Sequence, residues 1–89
     1  MPVKIEIYTR RGCFYCARAR MLLENKNVEY THIPIDGDIA LERLMIERAN
    51  GGTSVPQIFI NNTHIGGSDE LYQLENEGRL DSLLEDNQK

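Results

Sequence analysis

No stretch of the 89-residue chain approaches the roughly 20 consecutive apolar residues that a membrane-crossing helix needs, so a soluble, folded domain with no membrane partner is expected. Positive charge is also short. Ten lysines and arginines stand against fourteen acids, a formal net charge of -4, which argues against a nucleic-acid surface. There are only two cysteines, too few for a disulfide scaffold, and none is required, because domains of about 55 to 65 residues already fold without staples. No linker, low-complexity tract or internal repeat interrupts residues 1–89, so a single domain is expected, with the end of the chain (85–89) fraying for want of an apolar anchor. The opening "MPVKIEIYTR" has neither the apolar core nor the small-residue cleavage site of a secretory signal. Cytoplasm is the expected compartment.

What is present reads as alternating strands and helices. "VKIEIY" (3–8) alternates apolar and polar residues with β-branched side chains on one face, the pattern of a strand. After the "TRRG" turn, residues 13 to about 25 are rich in helix formers. "VEYTHIPI" (28–35) reads as a second strand, and Pro34, which cannot donate a ladder hydrogen bond, places it at a sheet edge. Asp36-Gly37-Asp38 supplies a turn and a cap for a second helix, "IALERLMIERA", with Leu41, Leu44, Met45 and Ala49 at helical spacing. "QIFI" (57–60) and "THI" (63–65) flank Asn61-Asn62, a two-residue hairpin turn. Gly66-Gly67 turns the chain, Ser68 or Asp69 can cap a third helix, and Gly78 divides the closing helical stretch. The order βαβαββα(α) is that of an α/β domain with helices on a four-stranded mixed sheet, the first two strands parallel and the last hairpin antiparallel.

The two cysteines, Cys13 and Cys16, open the first helix. A redox pair, half of a metal site and two buried small side chains all remain open for a bare C-x-x-C. Placement narrows the choice. At i and i+3 both thiols share one helix face and can approach disulfide distance. Cys13 stands where unpaired N–H groups and the positive dipole end favour an anion, and Arg10, Arg11, Arg18 and Arg20 surround the pair with no acid between Glu6 and Glu24. Cys13 is the expected attacking thiolate and Cys16, one turn further in, the shielded resolving thiol. A zinc site would need His32 and His64 to complete it. These fall on different strands and read as ordinary strand-face residues, so no metal is expected. The acid-rich end, from Asp69 to Asp86, reads as a solvated face.

Two more segments carry chemistry. In "TSVPQ" (53–57), a cis bond before Pro56 would turn the Val55 backbone outward, where an extended peptide could pair with it. In "GGSDE" (66–70), two glycines permit close backbone approach and a helix start offers N–H groups to a carboxylate. Either can be read alone as mere loop punctuation.

Together, "YTRRGCFYC" (8–16), "TSVPQIFI" (53–60) and "HIGGSDEL" (64–71) resemble, in this order and spacing, the glutaredoxins, small thiol oxidoreductases of the thioredoxin-like fold. The resemblance spans nearly the whole chain. It implies a glutathione-dependent thiol-disulfide oxidoreductase in which Cys13 takes up a disulfide or glutathione mixed disulfide and Cys16 closes the redox-active disulfide. It further implies that Arg10 meets the glycyl carboxylate of glutathione, that Tyr15 lines the groove, and that Ser54, Val55 and Pro56 flank the cysteinyl portion. Gly67, Ser68 and Asp69 would receive the γ-glutamyl end. The implied partners are glutathione and disulfide-containing or glutathionylated proteins, ribonucleotide reductase among them, with the chain acting as a monomer. Phe14 stands where the commonest dithiol pattern has proline. Family members lacking that proline can share a [2Fe-2S] cluster between two chains through the first cysteine and glutathione, which is one alternative. A redoxin of similar fold reduced by thioredoxin reductase is another.

Overall fold

The computed structural model describes residues 3–85; the last residues of the expected frayed end, 86–89, lie outside them. The elements follow the order β1 (Ile5–Thr9), α1 (Phe14–Asn25), β2 (Thr31–Pro34), α2 (Ile39–Arg48), β3 (Gln57–Ile60), β4 (Thr63–Gly66), α3 (Ser68–Asn76) and α4 (Leu80–Leu84). They form one four-stranded sheet, β2-β1-β3-β4, with β1 parallel to β2 and antiparallel to β3, and β3 antiparallel to β4. Pro34 sits on the edge strand, where its missing N–H costs no ladder bond. At the other edge, the β3–β4 turn places Asn61 and Asn62 at φ 51° and 67°, the positive pair that a two-residue hairpin turn requires.

Burial explains the sequence pattern of the central strands. Ile5, Ile7, Ile58 and Ile60 project to one face and pack with Ala19 and Leu23 of α1, Leu71 of α3 and Leu80 of α4. Tyr8 and Phe59 project to the other and pack with Ile35, Met45 and Ala49 around α2. The strands alternate, yet both faces are covered, so β3 is buried throughout its length. Glu6 lies on the α2 face, where its carboxylate receives the guanidinium of Arg48 at 2.8 Å. Arg48 also donates to the Tyr8 hydroxyl at 2.7 Å and lies over the Phe59 ring, 4.1 Å from its centroid.

Three expectations shift. β2 begins at Thr31 rather than at residue 28, because β1 itself starts at Ile5 and Glu6 is its first residue in register with β2; Val28 and Tyr30 pack against the core without pairing. Asp38 caps α2 as expected, accepting the Leu41 N–H at 3.0 Å, but Leu44 is 44% exposed. The core-facing stripe is the partly buried Leu41 with buried Met45 and Ala49, spaced by four, and Leu44 is turned about 100° off it. Neither Ser68 nor Asp69 caps α3. Gly67 is its N-cap residue and Ser68 its first helical residue. The Glu70 carboxylate reaches back to accept the Gly67 N–H at 2.7 Å, the returning half of a capping box.

Candidate active site

The carboxyl end of β1 delivers the chain to a turn in which Gly12 adopts φ 75°, and α1 starts immediately after it. Cys13 is the N-cap residue of α1, with extended backbone, and its sulfur does the work of the usual capping oxygen: the Cys16 N–H donates to Cys13 Sγ at 3.1 Å. The sulfur thus faces an unpaired amide of the first turn, at the positive end of the helix dipole. Cys13 is partly exposed, while Cys16 is buried in the first turn of α1, and neither is in a disulfide. Burial, then hydrogen bonding to Cys13, pushes the Cys16 thiol up to about 12, against weaker opposing pulls from the Arg10 backbone and the Arg20 charge. One sulfur is partly exposed and the other is held protonated behind it, an asymmetry suited to an attacking and a resolving thiol.

The loop before β3 meets this sulfur. The Val55–Pro56 peptide is cis, and the Val55 carbonyl oxygen lies 3.8 Å from Cys13 Sγ. Ser54 is held at the same loop, its carbonyl accepting from the Gln57 amide at 3.0 Å. A groove of about 270 Å³ runs from here to the start of α3, lined by Tyr15, Ser54, Val55, Pro56, Gly67, Ser68, Asp69 and Glu70. The two glycines make that closeness possible. A Cβ on Gly67 would stand 3.3 Å from the Pro56 carbonyl, and Gly66, at φ 117°, would place one 2.9 Å from Glu70 Cγ. Ser68 is 3% exposed, and its hydroxyl is the only buried side-chain polar atom without a partner among the described residues. An orphaned hydroxyl beside the free N–H groups of a helix start is a place where a ligand oxygen would be bonded.

Arg10 alone of the expected groove residues lies elsewhere. It lines a second hollow, of about 680 Å³, on the β2 side of the cysteines, together with Thr9, Arg11, Cys13, Cys16, Arg20 and His32. Its guanidinium Nη2 donates to Glu42 Oε2 at 2.7 Å, a partner from α2 that nothing local in the sequence announces. Three of the four arginines of the basic island, Arg10, Arg11 and Arg20, line this hollow beside the cysteines. Arg11 donates its backbone N–H to the Asp36 carboxylate, Arg20 donates to the Tyr30 hydroxyl at 3.1 Å, and Arg18 turns away to lie over the Tyr72 ring on α3. His32 shares a short contact of 2.6 Å with the Thr9 hydroxyl, and burial with the Arg20 charge lowers its pKa. Among the described residues, no group of three or more His, Cys, Asp and Glu is placed to hold a metal ion. Of the residues that sequence reasoning passed over, Glu70 had a local signal, the capping-box interval from Gly67; Glu42 had none.

The family model for glutaredoxin matches residues 5–65. The chain is 52% identical over 80 residues to glutaredoxin 3 of Escherichia coli, covering 90% of this chain and 95% of the relative. Among solved structures, the solution structure of a glutaredoxin from Brucella melitensis superposes with a TM-score of 0.81 at 51% identity, covering 93% of this chain and 89% of that one. A buckwheat glutaredoxin solved as a glutathione complex also superposes with a TM-score of 0.81, at 26% identity, covering 90% and 74%.

Proposed function

The chain belongs to the glutaredoxin family and is a thiol-disulfide oxidoreductase of the thioredoxin-like fold, and from that premise we propose that glutathione is its co-substrate and that it reduces both glutathionylated proteins and protein disulfides. The observation that carries this reading is the orphaned Ser68 hydroxyl at the start of α3, in the same groove as Val55 and Pro56. Glutathione is an extended tripeptide with a carboxylate at each end and one ammonium group. A helix start with a spare hydroxyl suits the γ-glutamyl carboxylate, exposed Asp69 beside it suits the ammonium, and Val55 offers backbone to the central cysteinyl residue. Arg10, beyond Cys13, is the cation for the glycyl carboxylate. Tyr15, 53% exposed, forms one wall. The buckwheat relative was solved as a glutathione complex, which supports glutathione as the co-substrate.

On a glutathionylated protein, the Cys13 thiolate attacks the glutathionyl sulfur, forming a Cys13–glutathione disulfide while the protein leaves as a thiolate that takes a proton from water. A second glutathione thiolate then attacks the glutathionyl sulfur; oxidised glutathione leaves and the Cys13 thiolate returns. On a protein disulfide, Cys13 attacks one of its sulfurs, forming a mixed disulfide as the S–S bond breaks and the other protein sulfur leaves as a thiolate that takes a proton from water. Cys16 loses its proton, attacks Cys13 Sγ and expels the second protein thiolate, leaving the Cys13–Cys16 disulfide for two glutathiones to reduce. The first route needs one cysteine and the second needs both.

The test is a pair of assays, reduction of a glutathione mixed disulfide and reduction of a protein disulfide, on wild type, Cys13→Ser and Cys16→Ser. Cys13→Ser is expected to be inactive in both. Cys16→Ser is expected to retain the first activity and lose the second. Equal loss of both activities in Cys16→Ser would sink the division of roles, and wild-type activity that does not depend on glutathione would sink the choice of co-substrate.

A further inference from the structure

Arg10 is the one cation assigned to the glycyl end of glutathione, and it is already answered from within the protein. Its Nη2 lies 2.7 Å from Glu42 Oε2, the two side chains being 40% and 35% exposed. Glu42 stands in the first turn of α2, the turn capped by Asp38, so its backbone is anchored while its side chain reaches over to the β1–α1 turn. The contact is to a single guanidinium nitrogen, so Arg10 keeps other N–H donors for a ligand. What the pair removes is net charge, because a carboxylate at hydrogen-bond distance offsets most of the attraction that Arg10 exerts on a second carboxylate.

From this geometry we infer that Glu42 is a specificity-setting residue: an internal carboxylate that competes with the substrate's glycyl carboxylate for Arg10 and lowers the enzyme's discrimination by charge in the hollow on the β2 side of Cys13. The inference rests on the glutathione reading proposed above. Glu42 touches none of the reacting atoms. It acts through Arg10, on how strongly a glutathionyl group is held and not on the sulfur chemistry. The opposite end of the site differs in kind. Glu70 takes the N–H of Gly67, the cap residue, and the buried hydroxyl of Ser68, a residue of the groove wall, is left without a partner.

A simple orienting role for Glu42 predicts the reverse behaviour. If the carboxylate served to hold the guanidinium in its binding pose, its loss would loosen Arg10 and weaken the ligand. Competition predicts that its loss strengthens the ligand, and only for ligands that carry the glycyl charge. The sign of the effect, and its dependence on that one charge, separate the two.

The experiment uses the full chain in a Cys16→Ser background, where Cys13 can form a stable mixed disulfide but cannot resolve it. The protein is equilibrated with reduced and oxidised glutathione, and in parallel with the same pair carrying a glycyl carboxamide, and the fraction glutathionylated at Cys13 is read by intact-mass spectrometry. Adding Glu42→Gln is expected to raise the equilibrium preference for glutathione over its amide by about 2- to 5-fold, the range of a partly exposed ion pair. The gain should shrink as salt is raised. In an Arg10→Met background, Glu42→Gln should no longer change the preference. A preference that is unchanged or smaller in Glu42→Gln overturns the inference, as does a gain that persists without Arg10. If the Cys16→Ser protein forms no mixed disulfide with either compound, the glutathione reading itself fails, and this inference falls with it. That outcome is distinct from a mixed disulfide that forms and ignores Glu42.

Discussion

The amide of Cys16 donates to the sulfur of Cys13 across 3.1 Å, so each residue of the pair acts on the other before any disulfide forms. The backbone of Cys16 caps the Cys13 sulfur, and the thiol of Cys16 is held protonated by burial and by its hydrogen bond with Cys13. A helix N-terminus thereby gives two chemically identical side chains unequal settings, Cys13 partly exposed and Cys16 buried.

That separation predicts selective alkylation. At pH 8, iodoacetamide should modify Cys13 in the folded, reduced protein and leave Cys16 unmodified, as read by peptide mass spectrometry; equal labelling would contradict the burial of Cys16. The same thiol makes stability depend on alkaline pH. Its folded pKa, about 12, lies above the ordinary 9.0, so between those values the unfolded chain releases a proton that the folded one keeps. The contribution is intact below about pH 9 and is lost as pH rises toward 12. Cys16→Ala should flatten this part of the stability profile in denaturant titrations.

Ser68→Ala should divide stability from binding. Leaving a buried hydroxyl unbonded costs about 1 to 3 kcal/mol, so its removal should hold Tm constant or raise it by a few degrees, at about 4 to 8 °C per kcal/mol for a domain of this size. The KM for a glutathionylated substrate should rise several-fold. A fall in Tm with KM unchanged would mean that the hydroxyl serves the fold and not the ligand.

Glu6 and Arg48 form the best-buried ion pair among the described residues, with side chains 13% and 21% exposed. Hydrogen bonding and charge from Arg48 hold the Glu6 carboxyl below its ordinary 4.5, against the opposing effect of burial. A lowered carboxyl stabilises the fold above the unfolded value and ceases to do so as pH falls through the folded value. Glu6→Gln should therefore cost about 1 to 3 kcal/mol near pH 7, and the gap in Tm between wild type and variant should narrow below about pH 4.5. A gap that stays constant down to pH 3 would count against the pair.

Gly66→Ala tests the approach of α3 to the thiols. It places a side chain at φ 117°, 2.9 Å from Glu70 Cγ, and should cost about 1 to 3 kcal/mol in backbone strain, with a further cost for the displaced Glu70 cap. Gly51→Ala is the control, since it has φ 97° but nothing within 4 Å of the added carbon. Thermal unfolding should show a larger loss at residue 66 than at residue 51, and equal losses would mean that the contact with Glu70 is unimportant.

Much of this architecture was legible in the sequence because it is governed by neighbours along the chain. Paired asparagines permit the positive φ angles of the β3–β4 turn, Asp38 caps the helix that follows it, Gly78 separates α3 from α4, and Pro34 marks an edge. The same locality reaches the site. The two-residue interval between Cys13 and Cys16, placed at a strand-to-helix turn, sets their unequal exposure through the first turn of α1 itself. Where the local signal was shared among adjacent residues it misled slightly. Gly67, not Ser68 or Asp69, is the cap of α3, at a position where a side-chain Cβ would stand 3.3 Å from the Pro56 carbonyl oxygen, and Glu70 supplies the bond to its N–H.

Thus the sequence by itself determined the order of the elements and the unequal settings of the thiol pair, since each follows from backbone conformation and spacing over a few residues, whereas the approach of Val55 to Cys13, 42 residues away, waits on β1 and β3 becoming sheet neighbours. Only the tertiary structure decided which charges remain available. Arg18 is turned to Tyr72 on α3, and Arg10 is answered by Glu42, 32 residues away on α2. Ser68, one residue into its helix, is left without a partner. Pairing between distant side chains depends on how separate elements pack against the sheet, and no interval along the chain encodes it.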